Sequence, residues 1–357
     1  MSKSTHFIGQ PSYLQLIKLL DRSKIDSISK SGKYNRYTKR FDSYTHLITY
    51  LYAVLCRYDS IREVVVGLLS NANRLAHLGI NYCVKRSTFA FANNKRSSKF
   101  FAQVYASLYT QYSSVLLDSH HKTANQKRLF IMDSTTITLF SNILKGAGRN
   151  PIKGKKKEGI KVHTIITSDE NVPRFIRFTS AATHDHTLLK DINIPSGSIL
   201  VFDKGYVDYK VYEEFSTKEI TYVTKLKDNA KYEGLEELDI PDDSDSGIIK
   251  DEMIEISKRT PKGEPNITHK SRRIAYWDDD KGKLMVFLTN STELTAEEVV
   301  EIYKRRWQIE SLFKQLKQNF QLRYFYGDSV NAIENQIWVV MIANLLLTVL
   351  QKRIKRP

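Results

Sequence analysis

Two apolar runs that each end in an aspartate constrain the fold of this chain more than any other feature. The segment "LFIMD" ends at Asp133, and the segment "ILVFD" ends at Asp203. Runs of β-branched and aromatic residues of this length are typical of strands buried in a sheet. An ionised carboxylate at such a point is costly unless it is paired or bound to a metal ion. Strands also end in aspartate for turn formation, so one run alone decides little.

The pattern along the chain predicts a helical region followed by a mixed α/β region. Residues 1–125 carry apolar side chains at helical spacing, whereas strand-like segments begin near Arg128. An acidic, turn-rich stretch after residue 227 lies among further strand-like segments and indicates a β-rich insertion. The pattern predicts a helical domain at 1–125, a core in two parts at 126–227 and 294–357, and the insertion at 228–293 between those parts. Several helices with basic residues are compatible with a DNA-binding domain at 1–125, or with a packing domain whose charges are solvated.

A long helix is predicted over residues 297–320, with four polar side chains on one face. At about 100° per residue, Tyr303, Arg306, Glu310 and Lys317 fall on an arc of roughly 60°. The simplest explanation is a surface ion pair between Arg306 and Glu310, which stabilises a helix by a few tenths of a kcal/mol. Helical geometry leaves this explanation and an active-site wall equally open. Apolar residues flank the arc and predict that it borders the core: Val300, Ile302, Trp307, Ile309, Phe313 and Leu316.

Three motifs together resemble those of the IS4-type DDE transposases. The spacing Tyr-x2-Arg-x3-Glu-x6-Lys over 303–317 is similar to the family's signature, and "MDST" and "FDKGY" resemble its first and second aspartate motifs. The segment before them resembles a helical domain found in one subgroup. The resemblance implies a mixed α/β fold: an RNase H-like (retroviral-integrase-like) catalytic domain with a β-rich insertion, preceded by an all-helical N-terminal domain.

The resemblance also implies a metal centre. Asp133, Asp203 and Glu310 would be the catalytic carboxylates and would hold two Mg²⁺ or Mn²⁺ ions, which prefer oxygen ligands. One ion would activate water or a DNA 3′-OH, and the other would stabilise the leaving oxygen. The reaction expected from the family is cut-and-paste transposition of an insertion sequence through a DNA hairpin.

The expected partner is DNA, both the inverted repeats at the element's ends and the target. By resemblance, Tyr303, Arg306 and Lys317 would contact phosphates at the transposon end. Trp277 is the candidate for the aromatic side chain that stacks on a flipped base during the hairpin step. The alternative for Trp277 is an ordinary core residue of a strand. A homodimer on paired ends is expected, as in other transposases.

The charge of the chain agrees with a polyanionic partner. Lysine and arginine number 55 against 39 acidic residues, giving a net charge of +16, an excess that favours nucleic-acid binding. The loop at 145–159 fails the spacing of a phosphate-binding P-loop and is predicted to contact the DNA backbone, or else to be merely solvated. Its candidate contacts are Lys155, Lys156 and Lys157.

Histidine and cysteine usage does not point to zinc. His184 and His186 in "THDH" have no cysteine nearby, and His163 is predicted to be a hydrogen-bonded core residue. With two cysteines in the chain, a disulfide scaffold is excluded and a reducing compartment is favoured. We therefore expect a bacterial cytoplasmic protein associated with the nucleoid.

Two alternatives stay open at this point. One is a non-catalytic DNA-binding protein derived from a transposase, for example an inhibitor of transposition. The other is a metal-dependent nuclease that does not join strands. The complete carboxylate set argues against the first.

Overall fold

The structure, a computed structural model, is a mixed α/β protein with helices and one large sheet, which confirms the expected class. Bounds and contacts below refer to the part of the chain that the structure describes. That part comprises residues 12–76, 82–116, 127–138, 148–149, 157–168, 170, 172–240, 246–258, 267–320, 322 and 324–355.

In the described part of the chain, only helices precede the sheet. Short polar side chains cap the first turn of three of them: Asp21 accepts a hydrogen bond from the Ser23 amide, Asp42 from the Thr45 amide, and Ser60 from the Glu63 amide. The third helix is buried over most of its length and lies at the centre of this region. The helices are α1 (Ser12–Ile17), α2 (Arg22–Ser31), α3 (Ser43–Leu55), α4 (Ile61–Ser70), α5 (Ala72–Ala76), α6 (Arg86–Lys95) and α7 (Ser98–Leu116).

Ten strands of the described chain form one sheet. They are β1 (Leu129–Thr138), β2 (Gly148–Arg149), β3 (Lys157–Thr167), β4 (Pro173–Ser180), β5 (Ile199–Phe202), β6 (Thr221–Lys225), β7 (Tyr232–Glu237), β8 (Ile248–Lys258), β9 (Ile267–Asp278) and β10 (Lys283–Thr289). Their order is β2-β3-β1-β5-β6-β10-β9-β8-β7, and β4 pairs with β3. Strands β1, β5 and β6 are parallel, whereas β3 runs antiparallel to β1. Because β10 pairs with β6, strands β7–β10 extend the same sheet.

The parallel pairing of β1 and β5 places the two aspartates together. Met132 pairs with Phe202, so the next residues, Asp133 and Asp203, stand side by side where β5 ends. Neighbouring strands are about 4.8 Å apart. Two cores flank the sheet: Ile131 belongs to the larger one, and Met132 to the other. Since side chains alternate along a strand, Asp133 faces the same side as Ile131.

The segment 297–320 forms two helices, so the prediction of one long helix is wrong. The helices α9 (Ala296–Lys304) and α10 (Trp307–Asn319) follow α8 (Tyr209–Thr217) in the chain. Between them the backbone hydrogen bonds span three residues instead of four. The Arg306 amide donates to the Tyr303 carbonyl, and the Gln308 amide donates to the Arg305 carbonyl. Such a 3₁₀ turn winds more tightly than an α-helix. The sequence here contains no glycine or proline, and the turn coincides with the contact of Arg306 to β1.

The last helix, α11 (Val330–Lys355), packs against α3, α6 and α7. By length and composition it could cross a membrane, but its apolar window is 67% buried inside the protein, as in a core helix. Its contacts join the C-terminal part of the chain to the N-terminal helices. The predicted domain boundaries stay predictions.

Two adjacent leucines of α11 test this packing. Leu346 is fully buried, whereas Leu347 is 39% exposed. We expect Leu346→Ala to lower the free energy of unfolding by about 2–5 kcal/mol because it leaves a cavity. The matched control, Leu347→Ala, should change it by less than about 1 kcal/mol. Denaturant unfolding measures both, and equal effects would contradict the assignment of α11 to the core.

Candidate active site

One guanidinium joins the first aspartate to the predicted glutamate. Arg306 lies 2.9 Å from Asp133 Oδ2 through Nη1, and 2.6 Å from Glu310 Oε1 through Nη2. The Arg306 and Asp133 side chains are 12% and 16% exposed, so the pair is largely shielded from water. The Arg306–Glu310 ion pair that the spacing suggested therefore exists, but it is not an isolated surface pair. The same guanidinium also contacts Asp133 of β1.

Tyr303 and Lys317 extend this cluster along the same side of the sheet. The Tyr303 hydroxyl donates to Asp203 Oδ1 at 3.4 Å, and its ring lies 5.6 Å from the Arg306 guanidinium carbon. Lys317 Nζ donates to the Thr136 carbonyl of β1 at 3.3 Å. The structure thus brings the six polar residues selected from the three motifs together, despite the break between α9 and α10: Asp133, Asp203, Tyr303, Arg306, Glu310 and Lys317.

A groove runs between α10 and β1 beside the carboxylates, with a volume of about 460 Å³. Its lining includes two acidic residues, Asp133 of β1 and Glu310 of α10, and two basic residues of α10, Lys314 and Lys317. Lys314 was missed by the sequence analysis, although it lies one helical turn after Glu310 and could have been found from that spacing. The groove thus places positive charge beside the carboxylates. Its full lining is Asp133, Ser134, Thr135, Glu310, Phe313, Lys314, Lys317 and Gln318.

The other predicted DNA contacts are Trp277 and three lysines. Trp277 is on β9 and 41% exposed, so its alternative assignment as a core residue is wrong. Lys155 and Lys156 lie outside the described residues. Lys157 begins β3, but its side chain also lies outside the description. The contacts described for the cluster therefore include none of these four residues.

A second tryptophan is more exposed than predicted. Trp307 was expected to border the core, but it is 58% exposed at the first residue of α10. The reason is the tight turn before it, which changes the phase of α10 relative to α9. An exposed aromatic side chain therefore follows Arg306 directly in the chain.

Comparison with known families identifies the chain. Residues 124–346 match the family model described as "Transposase DDE domain". The chain belongs to the DDE transposase family. Residues 8–81 match a second model, described as "Domain of unknown function (DUF4372)". The protein is therefore an enzyme of the DNA transposase class.

Three relatives of this transposase are themselves named as transposases. The first, named y4zB, from Sinorhizobium fredii, is 30% identical over 73% of this chain and 70% of its own length. The second, for insertion sequence element IS5377 of Geobacillus stearothermophilus, is 25% identical over 64% and 58%. The third, for IS4SA of a Synechocystis strain, is 26% identical over 74% and 71%.

Among solved structures, a piggyBac transposase synaptic complex with hairpin DNA aligns with a TM-score of 0.40 and 10% identity. The alignment covers 97% of this chain and 82% of that one. A likeness this low supports no conclusion about the fold.

Burial makes the first aspartate of the transposase a weak acid. Burial raises the pKa of Asp133 to about 6, with smaller contributions from the charges of Asp203 and Glu310. The Ser134 amide and Arg306 act in the opposite direction but do not offset it. Asp133 therefore lies in a site where a nearby cation is strongly favoured when the carboxylate is ionised.

The side chains present fit a divalent metal ion, which the DDE family requires in general. Carboxylate oxygens are the ligands that Mg²⁺ and Mn²⁺ prefer. The Arg306 guanidinium already places a positive charge between Asp133 and Glu310. In the described part of the chain no three acidic, histidine or cysteine residues stand at metal-ligand spacing. A metal ion bound by Asp133 Oδ2 and Glu310 Oε1, the two oxygens that Arg306 contacts, would displace the guanidinium from them.

His163 is a satisfied core residue, as predicted. It is fully buried, and its ring nitrogens lie 3.1 Å from the Tyr206 hydroxyl and 2.8 Å from Thr179 Oγ1. Burial lowers the pKa of His163 to about 4, so it is neutral at physiological pH.

The rings of His184 and His186 stack on each other with centroids 5.7 Å apart.

The pKa of Asp133 gives a testable pH dependence of metal binding. A proton and a metal ion compete for this carboxylate, and the raised pKa keeps the proton bound up to about pH 6. We expect the Mn²⁺ affinity of the DNA-free protein to fall below this pH, by about tenfold per pH unit for one displaced proton. Electron paramagnetic resonance of free Mn²⁺ measures the affinity. An affinity that is constant down to about pH 4, the normal range of an aspartate, would contradict the raised pKa.

Proposed function

We propose that this transposase cleaves and joins DNA with Asp133, Asp203 and Glu310 as its catalytic carboxylates, which hold two Mg²⁺ or Mn²⁺ ions. The observation that carries the proposal is the Arg306 bridge, which brings a carboxylate from α10 to the adjacent aspartates of β1 and β5. When bound, two such ions activate water or a DNA 3′-OH and stabilise the leaving oxygen at phosphorus.

Arg306 exchanges partners in this proposal. In the metal-free protein it neutralises Asp133 and Glu310, and on DNA it grips a phosphate at the element's end, for which a guanidinium fork is well suited. Lys317, with Lys314, provides further positive charge for the DNA backbone along the groove. Tyr303 is also proposed to contact a DNA phosphate. In the DNA-free protein its hydroxyl donates to Asp203.

The strand order supports an RNase H-like catalytic core for this transposase. In the row β4-β3-β1-β5-β6, β1 is parallel to β5 and β5 to β6, while β3 and β4 are antiparallel neighbours. Strands β7–β10 correspond to the proposed insertion at 228–293. We further propose the IS4-type subgroup, with core parts at 126–227 and 294–357.

Hairpin formation at the transposon end is the proposed route of excision, with Trp277 as the stacking aromatic. Trp277 pairs with Leu284 at the end of β9, and both side chains are exposed, which supports a surface role. The basic loop with Lys155, Lys156 and Lys157 would contact the DNA backbone.

The helical region at 1–125 is proposed to bind DNA. Four of its basic side chains around α6 are exposed, whereas Arg96 is buried and bonded to the carbonyls of Phe41 and Asp42. We also propose a homodimer on paired ends, acting on the nucleoid in the bacterial cytoplasm. The four exposed side chains are Lys85, Arg86, Lys95 and Lys99.

Substitution of one carboxylate tests the proposed chemistry. With Mg²⁺ and DNA carrying the ends of its own element, the wild-type protein should yield cleaved and joined products. We expect Asp133→Asn to abolish both, because the amide removes a charged metal ligand of nearly the same shape. Asp191→Asn is the control, because Asp191 is half exposed and paired with Arg177 on the surface. Cleavage without joining by the wild-type protein would instead indicate a nuclease, and full activity of Asp133→Asn would refute the carboxylate assignment.

Substitution of Arg306 tests the proposed change of partners, because it should affect metal binding and DNA cleavage in opposite directions. Arg306→Gln removes the cation that competes with metal for Asp133 and Glu310. We therefore expect the DNA-free variant to bind Mn²⁺ more tightly than the wild-type protein, and yet to cleave DNA more slowly because its phosphate contact is lost. Calorimetry and gel assays measure the two effects. Weaker Mn²⁺ binding by Arg306→Gln would contradict competition between Arg306 and the metal.

A further inference from the structure

A fourth carboxylate lies on the other side of the sheet from Arg306. Asp185 begins a short 3₁₀ helix (Asp185–Asp191), and its Oδ1 lies 2.9 Å from Lys161 Nζ. The same ammonium group donates to the Thr183 carbonyl at 3.1 Å. The Asp185 and Lys161 side chains are 24% and 14% exposed, so this pair is more shielded than an ordinary surface ion pair. Asp185 lies within the segment "THDH" and was not among the predicted site residues.

Ser134 connects Asp185 to the first aspartate of the site. The Ser134 hydroxyl donates to Asp185 Oδ1 at 3.3 Å, and the Ser134 amide donates to Asp133 Oδ1 at 2.7 Å. Side chains alternate along β1, so Asp133 faces α10 while Ser134 faces the 3₁₀ helix. A single residue therefore carries a contact from one side of the sheet to the other.

Asp185 also lies close to the second aspartate. A methyl group on Gly205 would lie 3.5 Å from Asp185 Oδ2 and 3.8 Å from Asp203 Oδ2, so the two carboxylates flank this glycine. The next residue, Tyr206, is buried and bonded to His163, which is bonded to Thr179 in turn. The layer behind the carboxylates is thus a connected set of polar side chains.

We propose that Asp185 is a positioning residue for the metal-binding aspartates, held by Lys161 and acting on Asp133 through Ser134. This inference rests on the proposed function, because it takes Asp133 as a metal ligand. A shielded ion pair adds little net stability by itself. In contrast, a hydrogen bond that reaches a metal ligand from the side away from the metal orients that ligand. Losing such a bond commonly weakens metal affinity by roughly 10–100-fold.

The Mn²⁺ affinity of the full-length, DNA-free protein tests the assignment, with free Mn²⁺ measured by electron paramagnetic resonance. Asp185→Ala and Ser134→Ala should each weaken binding by up to about tenfold, because the Ser134 amide still donates to Asp133 in both variants but is no longer held from behind. Asp185→Asn should be less affected than Asp185→Ala because its amide oxygen still accepts from Ser134. Asp191→Asn is the matched control on the same 3₁₀ helix and should bind Mn²⁺ like the wild-type protein.

Three results would separate the possible failures. Wild-type Mn²⁺ affinity in Asp185→Ala would overturn the proposal. Equal losses in Asp185→Asn and Asp185→Ala, with wild-type affinity in Ser134→Ala, would make Asp185 a direct metal ligand and would also overturn it. Wild-type affinity in Asp133→Ala would instead refute the proposed metal centre itself. If thermal unfolding shows that Asp185→Ala does not fold, the near-isosteric Asp185→Asn, compared with Ser134→Ala, decides the question.

Discussion

The ion-pair bridge of Arg306 is the contact on which the arrangement of this site depends. Arg306 contacts Asp133 and thereby joins the start of α10 to β1. It also contacts Glu310, which lies one turn further along α10. Without a cation, ionised Asp133 would be buried near two other carboxylates, and its raised pKa reflects that cost. The bridge coincides with the 3₁₀ turn between α9 and α10, and the guanidinium reaches β1 from the residue just before α10 begins.

The sheet supplies the rigid frame against which this contact is made. Parallel pairing fixes Asp133 beside Asp203, and the buried residues before them anchor both backbones in two cores. Metal ligands held on strands are positioned more accurately than ligands held on loops. The Asp185 and Ser134 contacts behind β1 add a second support, and α11 links the whole to the N-terminal helices.

Much of this could be predicted from the sequence, because its motifs carry direct physical constraints. The strand-like and helical segments predicted the mixed α/β class, and the resemblance of the two aspartate motifs and of the spacing around Glu310 to those of a transposase family selected the residues that the structure brings together. The break at Arg306 could not be predicted, because good helix formers surround it and a tertiary ion pair accompanies it. The exposure of Trp307 follows from that break. Asp185 escaped notice because its contact with Ser134 crosses 51 residues of chain and leaves no local pattern.

Three carboxylates, from β1, the end of β5 and α10, are proposed to form one metal centre that Arg306 occupies until metal binds. Anomalous diffraction from crystals soaked in Mn²⁺ tests this proposal. We expect manganese peaks about 2.0–2.3 Å from carboxylate oxygens of Asp133, Asp203 and Glu310, with the Arg306 guanidinium moved away from the carboxylates. Manganese bound elsewhere, with Arg306 still bridging Asp133 and Glu310, would contradict it.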